Sequence, residues 1–183
     1  MRRLALAVAV ALLLAGCAAA TPSQDADRGS LDEALLTAAY ANDVDEARRL
    51  VAAGADVNHK DASEQSPYLI ATSEVGDDPR LLELFLAHGA LVNDKDSYNG
   101  TGTIRAAHRG YPMIIERLVK AGIDLDHVNR LGWTALLEAV ILGDGGQAHQ
   151  EVVRLLLDAG ADAAVRDRDG RTALDHAQAR GQD

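Results

Sequence analysis

The chain has 183 residues, of which 48% are apolar but only 3% aromatic, and its formal net charge at pH 7 is −10. That length supports one ordinary domain with a core, and the composition builds it from Ala, Leu, Val and Ile, as close helix–helix contact requires. The acidic balance argues against general nucleic-acid binding, because phosphate affinity comes from Lys and Arg, and the single cysteine, Cys17, excludes an intrachain disulfide and a Cys-based zinc site.

Met1-Arg2-Arg3 is a basic head, and Leu4–Leu14 is an unbroken apolar run, too short to span a bilayer as a helix. The run closes on Leu14-Ala15-Gly16-Cys17. Basic head, apolar run and terminal cysteine in this order resemble the signal peptide and lipobox of bacterial lipoproteins. The resemblance implies a signal peptide over residues 1–16, cleavage after Gly16 and a lipid on Cys17. Several acyl chains anchor stably, each buried CH₂ contributing about 0.8 kcal/mol. Without Arg2 and Arg3, 16 basic and 28 acidic side chains leave a formal charge of −12. Ala18 follows the cysteine, which by analogy with Gram-negative lipoprotein sorting favours the outer membrane and the periplasm. Residues 17–29 are small and polar with one proline, and read as a lipidated flexible tether to a domain over residues 30–183.

Behind the tether two landmarks recur. Ala38, Ala71, Ala106, Ala139 and Ala177 follow one another at steps of 33, 35, 33 and 38. Gly54, Gly89, Gly122 and Gly160 each close an apolar stretch, and the distance from each glycine to the next alanine is always 17. The alanine-to-glycine distances are 16, 18, 16 and 21, so the period is 33 and every extra residue falls between alanine and glycine. The best-formed copy is Asn129–Ala139, where an Asn-Arg-Leu-Gly turn leads through Trp133 and Thr134 into Ala-Leu-Leu-Glu-Ala.

In chain order, the first helices of the copies are predicted near Leu31–Ala41, Pro67–Ser73, Thr103–Arg109, Thr134–Leu142 and Thr172–Arg180. The second helices are predicted near Val44–Ala53, Pro79–His88, Pro112–Ala121 and Gln150–Ala159. Each landmark glycine then falls where a left-handed C-cap is wanted. A period near 33 with a turn, a Thr-Ala-Leu helix start and a second helix resembles the ankyrin repeat. The resemblance covers Leu31 to the C-terminus. It implies an all-α ankyrin-repeat solenoid of about five repeats, each a helix–turn–helix followed by a β-hairpin finger. Single repeats cannot bury their apolar faces, so stacking supplies the stability. The first copy, with Asp32 and Glu33, reads as an N-terminal cap, and the last ends on a polar helix.

The resemblance also implies where partners bind. Ankyrin arrays use finger tips and the adjoining first helices, which would present His59 and Lys60, then Asp94, Lys95 and Tyr98. Arg130, Leu131 and Trp133 follow, then Arg166 and Arg168. Trp and Tyr are frequent interface anchors, although packing between fingers accounts for Trp133 equally well. The alternative surface is the second of two insertions. The first adds two residues around Glu74–Asp78, and the second adds five within Gly143–His149, bringing Asp144, Gln147 and His149. Both read as loops joining the two helices of a copy.

No motif supports catalysis. None of the six histidines forms an HExxH pair, and neither a G-x-S-x-G elbow nor a phosphate loop ending in Gly-Lys-Ser/Thr occurs. Asp167-Arg168-Asp169-Gly170 echoes part of a calcium loop, but His176 stands where the bidentate Glu belongs. The expected function is therefore a non-catalytic protein-binding scaffold, anchored by lipid in the bacterial envelope, without cofactor or metal. Its expected partner is an envelope or periplasmic protein, and a basic one would suit the charge. Alternatives are immunity against a periplasmic toxin, and an accessory role in oxidative stress, to which some exported bacterial ankyrin proteins are linked. A further alternative is an enzyme or metal-binding module on the Asp144–His149 segment.

Overall fold

The computed structural model describes residues 22–181. The expected signal peptide and Cys17 lie outside the described residues. Nine helices occur among the described residues: α1 (Pro22–Tyr40), α2 (Val44–Ala52), α3 (Pro67–Ser73), α4 (Arg80–Ala87), α5 (Gly102–Arg109), α6 (Pro112–Lys120), α7 (Ala135–Leu142), α8 (Gln147–Asp158) and α9 (Ala173–Ala179). The odd-numbered helices stack on one another in one layer and the even-numbered helices in a second. Each copy joins the layers through its own pair, α1 with α2 and so on to α7 with α8. This is the expected solenoid.

Local chemistry sets the helix ends. Ser66 accepts a hydrogen bond from the Leu69 N–H at 3.2 Å, and Pro67 opens α3 where no N–H is needed. Thr134 caps α7 through Leu137, and Thr172 caps α9 in a capping box with Asp175. Gly54, Gly89, Gly122 and Gly160 all have positive φ, between 79° and 103°, as left-handed C-caps. The landmark alanines lie where first helices of neighbouring copies touch. Ala71 and Ala106 are fully buried, and Ala38 and Ala139 nearly so. Between the layers sit Leu81, Leu82 and Phe85 of α4, Ile114, Ile115 and Leu118 of α6, and Val152 and Leu156 of α8, all fully buried. Burying such side chains contributes roughly 1.5–3 kcal/mol each.

Three features differ from the sequence expectation. Helix α1 begins at Pro22, so the part of the expected tether from Pro22 to Gly29 is helical. The φ that a proline ring imposes suits a first helical residue, and Ser23–Arg28 contains neither Gly nor Pro. Helix α8 begins at Gln147 rather than Gln150, so most of the second insertion is an added helical turn and the loop is confined to Gly143–Gly146. The Asp144 carboxylate turns that loop by accepting from the Gly146 N–H at 2.8 Å. Finally, the fingers are tight turns without extended strands among the described residues, with one isolated antiparallel bridge between Lys95 and Thr101.

A ladder of side-chain acceptors ties each copy to the next. The residue four past a landmark glycine accepts from the N–H two past the following one. Asn58 bonds Leu91 at 2.8 Å, Asn93 bonds Asp124 at 2.9 Å and Asp126 bonds Asp162 at 2.8 Å. Asp32, buried in α1, does the same for the first copy by accepting from Asp56 at 2.7 Å. The first insertion adds another tie. Asp77 accepts from the Met113 and Ile114 N–H groups at 3.1 and 3.0 Å, capping α6 where Tyr111 supplies no side-chain cap.

Candidate functional site

The four fingers share one tip. In each, a side-chain oxygen accepts from the N–H groups two and four residues on: Asp61 from Ser63 and Gln65, Asp96 from Tyr98 and Gly100, Asn129 from Leu131 and Trp133, Asp167 from Asp169 and Arg171. The backbone N–H of the same first residue closes the turn on the carbonyl four on. The fourth position needs a positive φ. It holds Gly132 and Gly170 in the later fingers but Glu64 and Asn99 in the earlier ones, where a side chain bears the strain.

Nine residues beyond the tip anchor, the adjoining first helix offers a matched side chain in three of the four fingers, the first placing the buried Ile70 there. Arg105 donates to Asp96 at 2.8 Å, and His176 pairs with Asp167 at 2.7 Å. In the fourth copy the anchor is the amide Asn129, and the helix residue is a carboxylate, Glu138. A second carboxylate at 129 would face Glu138, and the amide avoids that clash of charge. The N–H groups of Arg171 and the His176 ring hold Asp167 below the usual carboxylate range.

Asp96, Arg105, Asn129 and Glu138 border a cavity of about 330 Å³ between the fingers and the first helices. Its rim is Tyr98 and Leu131, the same tip position on adjacent fingers, which are 69% and 49% exposed. Ile104, Arg105, His108 and Glu138 also line it. Arg105 is engaged by Asp96, by Gln65 at 2.9 Å and by Glu74 at 3.3 Å. Glu138 is only 6% exposed, yet its contacts are long: His108 Nδ1 at 3.3 Å and Asn129 Nδ2 at 3.4 Å. Burial raises the Glu138 carboxyl above its ordinary range, with His108 opposing.

The remaining finger residues mostly bind the fingers to one another. Lys60 bonds the Lys95 carbonyl at 2.6 Å and Asp94 at 2.9 Å. Arg168 bonds the Arg130 carbonyl, and the Arg130 N–H bonds the Tyr98 carbonyl at 3.0 Å. His59 lies 3.8 Å from Asp32 and 3.6 Å from Glu33, at the first copy. Arg166 donates to the Gly170 carbonyl of its own finger at 2.5 Å. Trp133 is half-buried against the core. The structure thus gathers Tyr98 and Leu131 of the expected set at one cavity. It adds Arg105, His108 and Glu138, which sequence reasoning passed over. Their signal was a polar residue immediately before or two after a landmark alanine, on a face expected to pack.

The second insertion does not join this groove. His149 Nδ1 contacts Asp144 at 2.9 Å, and its Nε2 lies 3.3 Å from the His108 carbonyl. The ring fills the space between two glycines, for a Cβ on Gly110 or Gly143 would approach it to 2.9 or 2.8 Å. Gln147 and Asp144 remain exposed beside it. The expected loop residues are therefore a helix start and an inter-copy wedge. Among the described residues no three His, Cys, Asp or Glu side chains assemble as a metal-binding group.

Comparison with known proteins matches this architecture. The family model for ankyrin repeats matches residues 103–183 in three copies. The crystal structure of an ankyrin repeat domain from Acinetobacter baumannii superposes with a TM-score of 0.76 at 45% identity, covering 81% of this chain and 74% of that one. Another ankyrin repeat protein of known crystal structure gives a TM-score of 0.74 at 37% identity with the same coverage. YahD of Escherichia coli K12, named as an ankyrin repeat protein, is 38% identical over 133 residues, 72% of this chain and 65% of YahD. Human ankyrin repeat and SOCS box protein 6 is 35% identical over 99 residues, 52% of this chain. The chain spans 65% of YahD and 24% of the human protein, less than two thirds of each.

Proposed function

The chain belongs to the ankyrin-repeat family, and from that premise we propose that it is a non-catalytic protein-binding scaffold, held by a lipid on Cys17 in the bacterial envelope. Ankyrin repeats build protein-interaction scaffolds. The observation that carries the reading is the cavity rimmed by Tyr98 and Leu131. The Lys60, Asp94 and Arg168 side chains are engaged in holding neighbouring fingers together, whereas these two large side chains stay exposed at adjacent tips. Large side chains held on a rigid frame bind at low entropic cost. The partner we propose is an envelope or periplasmic protein, a reading supported by the resemblance of Leu14-Ala15-Gly16-Cys17 to a lipobox.

Two experiments test this. Immobilised chain lacking Met1–Gly16 should capture a discrete protein from an envelope extract, and Tyr98→Ala with Leu131→Ala should abolish capture. Capture that survives both substitutions would move the site elsewhere. In cells, palmitate should label the chain and Cys17→Ser should remove the label; a labelled Cys17→Ser chain would overturn the anchor.

A further inference from the structure

The groove also carries the chemistry of what it receives. Glu138 is the most deeply buried ionisable group that faces the cavity, and it is poorly served there. Both its contacts exceed the usual 2.7–3.2 Å of an N–H···O bond. The other charged groups around the cavity pair with one another, although the buried Arg105 Nε has no partner. Arg105 is bound to Asp96, Glu74 and Gln65, and Arg109 approaches Glu74 at 3.7 Å. His108, the nearer of the two contacts of Glu138, is itself about half exposed. The same cavity is lined by the exposed Tyr98 and Leu131. An apolar rim over a buried carboxylate suits a side chain with an aliphatic stem and a cationic head.

We propose that the cavity receives a single lysine or arginine side chain from an extended segment of the partner protein. The stem lies between Tyr98 and Leu131, and the head bonds Glu138. This inference rests on the protein-binding reading above and specifies its chemistry. The acidic chain, at a formal −10, favours approach of such a segment. A charge-assisted bond of 2.7–2.9 Å would replace two long ones, and the ring face of Tyr98 would add a cation–π contact.

The test is selection of a random peptide library on the immobilised chain lacking Met1–Gly16. Selected peptides should share Lys or Arg at one fixed position, and norleucine there should weaken binding at least about ten-fold. Glu138→Gln should weaken the same peptides at least about ten-fold, as loss of one partner of a buried charge pair does. Tyr98→Ala, at an exposed tip with no fold to support, should weaken them about three- to ten-fold. Peptides without a fixed basic position, or binding equally to Glu138→Gln and Tyr98→Ala, would overturn the basic-residue site and leave the protein-binding reading standing. Recovery of no binding peptide would count against both.

Discussion

At the scale of single residues, three of the four fingers follow a rule of charge. The tip anchor and the helix residue nine positions on are Asp with Arg, Asn with Glu and Asp with His in successive copies. Asn129→Asp should therefore cost about 1–3 kcal/mol at neutral pH by placing two carboxylates together in a buried site. Adding Glu138→His, which recreates the pairing of Asp167 with His176, should restore most of it, as chemical denaturation of the single and double variants would show. Glu138 alone has a pH signature. Its carboxyl is raised above the unfolded value of about 4.3, so its contribution is fully present below that pH and is lost as pH rises through the folded value. Glu138→Gln should match the wild type at pH 4 and gain on it towards pH 7. A variant whose advantage is independent of pH would contradict the assigned burial. Asp167 acts in the opposite sense, its lowered carboxyl stabilising the fold above the unfolded value and losing that effect as pH falls through the folded one.

At the scale of elements, the helices and most of their ends, the starts of α1 and α8 excepted, were readable in the sequence because they depend on local chemistry. Pro67, Thr134, Thr172 and the landmark glycines each act within one turn of their own position. The ties between copies were not readable, because Asn58, Asn93 and Asp126 find acceptor-seeking N–H groups 31–36 residues away. A loop Asn or Asp looks the same whether it turns its own backbone or holds its neighbour. The insertions show the same limit. Their lengths were visible in the spacing, but not that one makes a helical turn and the other caps a helix in the next copy. Asp77→Ala should accordingly cost about 0.5–2 kcal/mol, in the range of an N-cap, although Asp77 stands in a loop. Hydrogen exchange should quicken at Met113 and Ile114 of α6. Unchanged exchange there would remove the assigned cap.

At the scale of the whole molecule, two stacked layers of helices hold a row of fingers rigidly enough for adjacent tips to act together. The candidate site was only half readable. Tyr98 and Leu131 were among the ten finger residues the sequence offered, but Arg105, His108 and Glu138 were hidden in helices whose inner face the alanine landmarks mark as packed. Which polar residue turns towards the groove depends on stacking between copies. Among the described residues the helices α6 and α8 expose Met113 and Leu157 on the opposite layer, so exposure alone does not select a surface. The groove differs from those positions in joining exposed apolar side chains to a buried carboxylate. The most direct test places a photo-crosslinking amino acid at Leu131 or at Met113 in the full chain in living cells. A discrete crosslinked protein at Leu131 and none at Met113 is the predicted result. Crosslinks at Met113 alone, or at neither position, would contradict a scaffold that binds through its finger groove.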